Sequence, residues 1–232
     1  VAVGTDTGAA PKAKFIAAVG REGGTGSLRA DTLLDALNWM QAPTKVDGSA
    51  PDATKAPDVV GMSWSIGPVT SDLFDDAIRN LRAAGIEPVK SAGNLGPGAG
   101  TLGAPAQLDD LIAVGAVGPD GKVTDFSSRG SVGSGAAGTR VKPDFAAPGA
   151  SVRTTQSGGG YGDWKGTSVA QPHVSGAILD LLSKHPNLTH EQLYEALKRG
   201  ATDAGAPGPD PEYGHGIINV DKSLDAAREL AR

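Results

Sequence analysis

Hydrophobic and polar positions alternate between two rhythms along this chain. Short, nearly continuous apolar runs, "KFIAAV" at 14–19, "DVVGMSWS" at 58–65, "IEPVKSAGN" at 86–94 and "LIAVGAV" at 111–117, fit strands buried on both faces. Between and after them, apolar residues recur three and four apart. In "SLRADTLLDALNWM", Leu33, Leu34, Leu37 and Met40 fall near one helical face, with Ser27 as a candidate cap. "SDLFDDAIRNLRAAG", opened by Thr70 or Ser71, is acidic in its first turn, basic in its last and stopped at Gly85. In "GTSVAQPHVSGAILDLLSKHP", Val174, Ala177, Ile178, Leu181 and Leu182 share a helical spacing, which places Pro172 in the first turn or at a kink. Thr189 and Gln192 form a capping-box pattern for "THEQLYEALKRG", and "VDKSLDAAREL" predicts a last, peripheral helix. Strands alternating with helices predict βαβ units and an α/β fold with a mainly parallel sheet.

Composition narrows this picture without changing it. A chain of 232 residues is large enough for one well-filled domain, and its 34 glycines and 16 prolines show no period, so they read as turns. The formal net charge of −5, with no dense Lys/Arg cluster, argues against nucleic acid or an anionic membrane as the main partner. No run approaches the roughly 18 apolar residues of a membrane span. With no cysteine there is neither a disulfide frame nor a thiolate metal site, and nothing follows about redox compartment. "GREGGTGS" at 20–27 is glycine-rich before a helix but lacks the lysine of a phosphate loop, and reads as a turn.

Two segments suggest chemistry. A nucleophilic serine works well at a loop-to-helix junction, where free backbone N–H groups and the helix dipole favour negative charge, and Ser168 in "GTSVAQPHVSGA" sits at such a junction. The same residue read alone is an ordinary N-cap. Asn94, in "KSAGNLGPG", ends a predicted strand, where its amide could donate into a crevice at the carboxyl edge of the sheet; read alone it is a turn residue.

Taken together, these segments resemble the subtilisin-like serine peptidases, the subtilases. "GTSVAQPHVSGA" is similar to that family's serine signature and "SAGN" to its oxyanion-asparagine segment. "AAPKAKFIAAV", "KPDFAAPG" and "YGHGIINV" resemble its supporting segments, all in the family's order and over nearly the whole chain. The resemblance implies a three-layer α/β/α domain over 1–232 and peptide-bond hydrolysis through an acyl-enzyme on Ser168, with Asn94 donating to the oxyanion. It also implies an extended polypeptide substrate bound as an added strand along Ser63, Trp64, Ser65, Ser91, Ala92 and Gly93. No cofactor is required; a structural calcium on carbonyls around Ala106 to Leu111 is possible by resemblance, and secretion follows if the protein behaves as its family does.

Departures from the family pattern are equally informative. The family's triad runs Asp, His, Ser, yet the first histidine here is His173, beyond Ser168. In the relatives, "APKAKFIAAV" follows soon after the histidine helix, so Asp6 in "VAVGTDTGA" reads as a turn residue and not as the triad carboxylate. His173 lies about 140° around an ideal helix from Ser168, and His185, His190 and His215 read as surface or packing residues. The chain is therefore expected to be the C-terminal portion of a catalytic domain whose first strand and histidine helix are missing, and to be nearly inert unless a complementary Asp- and His-bearing segment is supplied. Two other expectations stand beside it: a peptide-binding module that has shed its base, and a truncated product that does not fold stably. Ser65 and Ile66 replace glycines common in relatives and would narrow a side-chain pocket; Lys90, in an otherwise apolar strand, must reach water or a partner.

Overall fold

The structure is a computed structural model that describes residues 1–4, 8–18, 20, 28–67, 71–131 and 140–232. The expectations for Asp6, Ser27, Thr70 and the 21–27 turn residues lie outside the described residues.

Strands β1 (Val59–Met62), β2 (Glu87–Ser91), β3 (Ile112–Val117) and β4 (Phe145–Pro148) form a parallel sheet in the order β1-β2-β3-β4. Every residue of β2 and β3 is buried, as expected of strands covered on both faces. Helices α1 (Ala30–Gln41) and α2 (Asp75–Ala83) cover one face, where Leu33, Leu37, Phe74, Ile78 and Leu81 pack on Val60, Met62 and Ala113. Helices α3 (Thr167–Lys184), α4 (His190–Gly200) and α5 (Val220–Leu230) cover the other, through Val174, Ile178, Leu181, Leu197 and Ala227 against Val89, Ile112, Val114 and Phe145. This is the expected three-layer α/β/α arrangement. A two-stranded antiparallel hairpin, β5 (Val152–Thr155) and β6 (Tyr161–Trp164), leads into α3.

Local signals account for several boundaries. At α4 both capping-box bonds are present, Gln192 N–H to Thr189 Oγ1 and Thr189 N–H to Gln192 Oε1. Beyond α2, Ile86 N–H reaches Leu81 O while Gly85 N–H reaches Arg82 O, and the fully buried Leu81 and Ile86 sit at the two ends of that turn. Other boundaries shift. The first helix starts at Ala30 with Arg29 as its cap residue, and the second starts at Asp75, the Ser71 hydroxyl instead accepting Leu73 N–H in the approach. The last helix is less peripheral than expected, because Ala226 and Ala227 are buried in the core.

The largest correction concerns "KFIAAV". Residues 14–18 form no strand, and Phe15 and Ile16 are 78% and 40% exposed. An apolar run becomes a strand only beside a partner, and these residues lie across a groove from β1, the edge of the sheet.

Two polar features inside this frame set its pH response. Lys90 on β2 is fully buried; its ammonium donates to the Ser91 carbonyl (2.7 Å) and hydroxyl (3.0 Å) and lies 5.5 Å from the Trp64 ring centroid. These partners are neutral, and burial pulls the amine down to about 7. The unfolded chain, whose lysine titrates at its ordinary value, therefore binds the proton more strongly, so this residue costs stability below pH 7 and the cost fades as pH rises towards 10.5. Lys90→Met is expected to stabilise the fold by about 1–4 kcal/mol at pH 7, with the gain over wild type shrinking by pH 10, as read from thermal melts.

His190, at the start of α4, bonds through Nδ1 to the buried Glu87 carboxylate and through Nε2 to Arg82 O. The Glu87 carboxylate, ahead of burial, holds its pKa above the ordinary value. The stabilisation is complete below the unfolded histidine's pKa and is lost as pH rises through the higher folded value. His190→Ala is expected to lower stability by about 1 kcal/mol at pH 6, and the difference from wild type should narrow by pH 9.

Candidate active site

Asn94 follows β2 by three residues at the carboxyl edge of the sheet, and α3 begins opposite it. The Asn94 Oδ1 accepts two hydrogen bonds from Thr167, one from its N–H (2.9 Å) and one from its hydroxyl (2.9 Å). With the carbonyl end of the amide doubly held, Nδ2 is turned the other way, and Asn94 as a whole is exposed. The Thr167 hydroxyl also accepts Gly93 N–H (3.2 Å), so one buried side chain ties the strand's end to the first residue of the helix.

Ser168 is the second residue of α3. Val169 and Ala170 N–H both reach Gly166 O, and Thr167 N–H is taken by Asn94. That leaves Ser168 N–H as the first-turn donor without a protein partner among the described residues. Gly166 has φ +141°, a conformation L side chains rarely adopt. A Cβ there would lie 3.4 Å from Asn94 Nδ2 and 3.7 Å from Ser168 N. Glycine thus leaves open the space that these two donors share, and an anion beside Ser168 would meet both.

On its other side the serine is tied to β1. The Ser168 hydroxyl donates to Ser63 O (3.3 Å), while the Ser63 hydroxyl lies 3.0 Å from both Ser168 O and Gln171 Oε1. This explains how α3 tolerates Pro172. Proline has no N–H to give to the carbonyl four residues back, that of Ser168, and the Ser63 hydroxyl serves it instead. Pro172 therefore sits in the second turn, past the first of the two placements expected of it, the first turn or a kink.

The residues expected to line the cleft divide into two groups. Ser63, Trp64 and Ser65 are exposed or half-buried. Ser91, Ala92 and Gly93 are buried, and the 92–93 backbone is fully engaged: Ala92 N–H to Val114 O, Ala92 O to Gly103 N–H, Gly93 N–H to Thr167 and Gly93 O to Ser128 N–H. Ser65 presses on the facing segment, since a Cβ on Gly103 would lie 2.6 Å from the Ser65 Cβ, and Ile66 N–H bonds to Ala104 O. The gap between these two segments is thereby narrowed.

None of the four histidines hydrogen-bonds Ser168 among the described residues. His173 Nδ1 lies 3.0 Å from Val169 O on its own helix, and burial lowers its pKa. His185 ends α3, His190 is held by Glu87, and His215 packs against Phe145 and Tyr194. The carbonyls around Ala106 to Leu111 do not fit a bound metal at Leu111, because Leu111 O accepts the buried Lys142 ammonium at 2.8 Å, itself paired with Asp144. Sequence reasoning missed Thr167 and Gln171. The signal for Thr167 was present, a hydroxyl one residue ahead of the serine; Gln171 has no local signature.

The subtilase family model matches residues 2–216. Bacillopeptidase F of Bacillus subtilis strain 168 is 34% identical over 96% of this chain, which covers 16% of that protein. Subtilisin E of the same organism is 36% identical over 84% of this chain and 48% of that protein, so the chain spans about half the length of this relative or less. Among solved structures, sphericase superimposes with a TM-score of 0.72 at 30% identity, over 85% of this chain and 66% of that one. The prenylagaramide maturation protease PagA gives 0.67 at 23% identity, over 87% of this chain and 69% of that one, a likeness of fold. With the family model spanning most of its length, the chain belongs to the subtilase family.

Proposed function

We propose that this chain is the serine-bearing part of a subtilisin-type endopeptidase, with the imidazole base and its carboxylate supplied by polypeptide outside residues 1–232. The observation that carries this reading is the gap at Gly166, bordered by Asn94 Nδ2 and Ser168 N–H and adjoining the Ser168 hydroxyl. In the assembled enzyme Ser168 Oγ attacks the peptide carbonyl and its proton passes to the base. The carbonyl oxygen, now an anion, moves into the gap. Collapse of the tetrahedral species breaks the C–N bond, the base returns the proton to the leaving amine, and water then releases the acyl group. The substrate lies along Ser63, Trp64 and Ser65, and the contact of Ser65 with Gly103 favours a small side chain at that point.

A fluorophosphonate probe tests this reading. A chimera carrying ahead of Val1 the Asp- and His-bearing stretch of subtilisin E should label at Ser168 at least 10³ times faster than residues 1–232 alone, and Ser168→Ala should abolish labelling. A folded chimera that stays unlabelled, or a 232-residue chain that labels as fast as the chimera, would contradict it. A peptide-binding module without chemistry gives the first of these results.

Asn94→Ala in the chimera should lower kcat by about 10²–10³, the scale known for the oxyanion asparagine of subtilisin itself. Thr167 acts through Asn94 as a positioning residue. Thr167→Val should lower kcat by roughly 10-fold with KM little changed, and Thr167→Ser should restore it; equal loss in both variants, or a rise in KM alone, would remove that role.

A further inference from the structure

We propose that the space between the 63–65 and 91–93 segments is a subsite for an acidic side chain of a bound polypeptide, with the buried Lys90 ammonium as its charged partner. The charge pairing stands on the geometry of the two segments; only the statement that the acidic residue is the one cleaved rests on the function proposed above.

The space arises where the β1–β2 ladder stops. Glu87 N–H reaches Asp58 O (2.9 Å), and residues of a parallel strand bond to its two neighbours alternately, so Glu87, Val89 and Ser91 turn their backbone groups towards β1. Ala92, one residue on, bonds to Val114 O of β3, in keeping with that alternation. Met62 and Lys90 are the last paired residues. A continued ladder would bring Trp64 N–H to Ser91 O; that carbonyl instead accepts the Lys90 ammonium (2.7 Å). The two segments part at this point, with the ammonium at the root of the space between them. At the other end Ser63 O accepts the Ser168 hydroxyl and Gly93 leads into Asn94, so the space opens beside Ser168.

The ammonium has too few partners for a buried charge. Of its three N–H groups one goes to Ser91 O and one to Ser91 Oγ (3.0 Å), and no oxygen meets the third among the described residues. Its register partners Met62 and Ala113 share its face of the sheet with Phe74 and Trp64, and none of these is ionisable. Burial alone pulls the amine down to about 7, so no charged side chain among the described residues acts on it. A lysine so placed costs stability, and ionisable groups displaced in this way concentrate at sites. The Trp64 ring lies over the ammonium, 5.5 Å to its centroid, and Trp64 is half-buried, so a side chain of the cleft itself covers the charge.

A carboxylate supplies what this position lacks, an opposite charge and an acceptor for the third N–H. An amide of the same shape supplies the acceptor without the charge, and an apolar side chain supplies neither and leaves the ammonium unpaired. The side chain must be short, because the Ser65 Cβ lies only 2.6 Å from where a Cβ on Gly103 would stand. A bound carboxylate favours the protonated amine and raises its pKa. Preference for aspartate over asparagine is therefore complete below pH 7 and declines above it, where binding the acidic side chain takes up a proton.

The test is calorimetry on the 232-residue chain with the synthetic peptides acetyl-Ala-Ala-Pro-Asp-amide and acetyl-Ala-Ala-Pro-Asn-amide. At pH 6 the aspartyl peptide should bind at least about 10-fold more tightly, and the ratio should shrink by pH 9. At pH 8, titrations in phosphate and in Tris should reveal proton uptake with the aspartyl peptide alone. Lys90→Met, whose raised melting temperature reports that it is folded, should bind the two peptides alike. In the chimera described above, the corresponding p-nitroanilides should show the same ratio in kcat/KM. Three results would overturn the proposal: equal binding of the two peptides at pH 6, a preference that survives Lys90→Met, or no binding of either peptide at 5 mM. A folded chimera that stays unlabelled by the fluorophosphonate counts against the proposed function, while the calorimetry still decides the subsite.

Discussion

Everything specific about this site depends on Asn94 Oδ1 being doubly bonded by Thr167. That pair of bonds orients the asparagine amide, consumes the first N–H of α3 and leaves the next one, on Ser168, facing a space kept clear by Gly166. The arrangement is preorganised, because the donors stand in place before any anion arrives, and preorganised donors in a partly dry site are the largest single contribution to many acyl-transfer rates. The same helix start is pinned from the other side by Ser63, whose hydroxyl meets the carbonyl that Pro172 leaves without a partner. Sheet and helix are thus joined at two points flanking Ser168.

Asn94 and the start of α3 are held together beside Ser168, while no group placed to take the proton of its hydroxyl is found among the described residues. A serine hydroxyl is a weak nucleophile until something removes its proton. Here the hydroxyl donates to a backbone carbonyl, an acceptor too weak to serve as a base, and no histidine bonds it among the described residues. A groove lined by Ser63, Gln171 and the 14–18 backbone runs along β1, whose outer side carries no paired strand among the described residues.

Much of the fold was legible in the sequence because its signals are local. The Thr189/Gln192 box and the buried run of "LIAVGAV" predict their elements within a residue or two. The run at 14–18 was misread because strand formation depends on a neighbour, and no periodicity reports whether the neighbour is there. The Ser168 and Asn94 signatures could be seen in the sequence, whereas Thr167 and Gln171 act on partners 73 and 108 positions away. Lys90 could be flagged as misplaced, but its settlement on Ser91 and the Trp64 ring required the packed core.

The central claim, that none of the described residues deprotonates Ser168, is tested most directly by the pH dependence of its fluorophosphonate labelling in the isolated chain. Without a base the logarithm of the rate should climb linearly from pH 5 to 9 with a slope near one, following hydroxide. A plateau with a midpoint near pH 7 would reveal an imidazole or amine at work within the chain and would contradict the account.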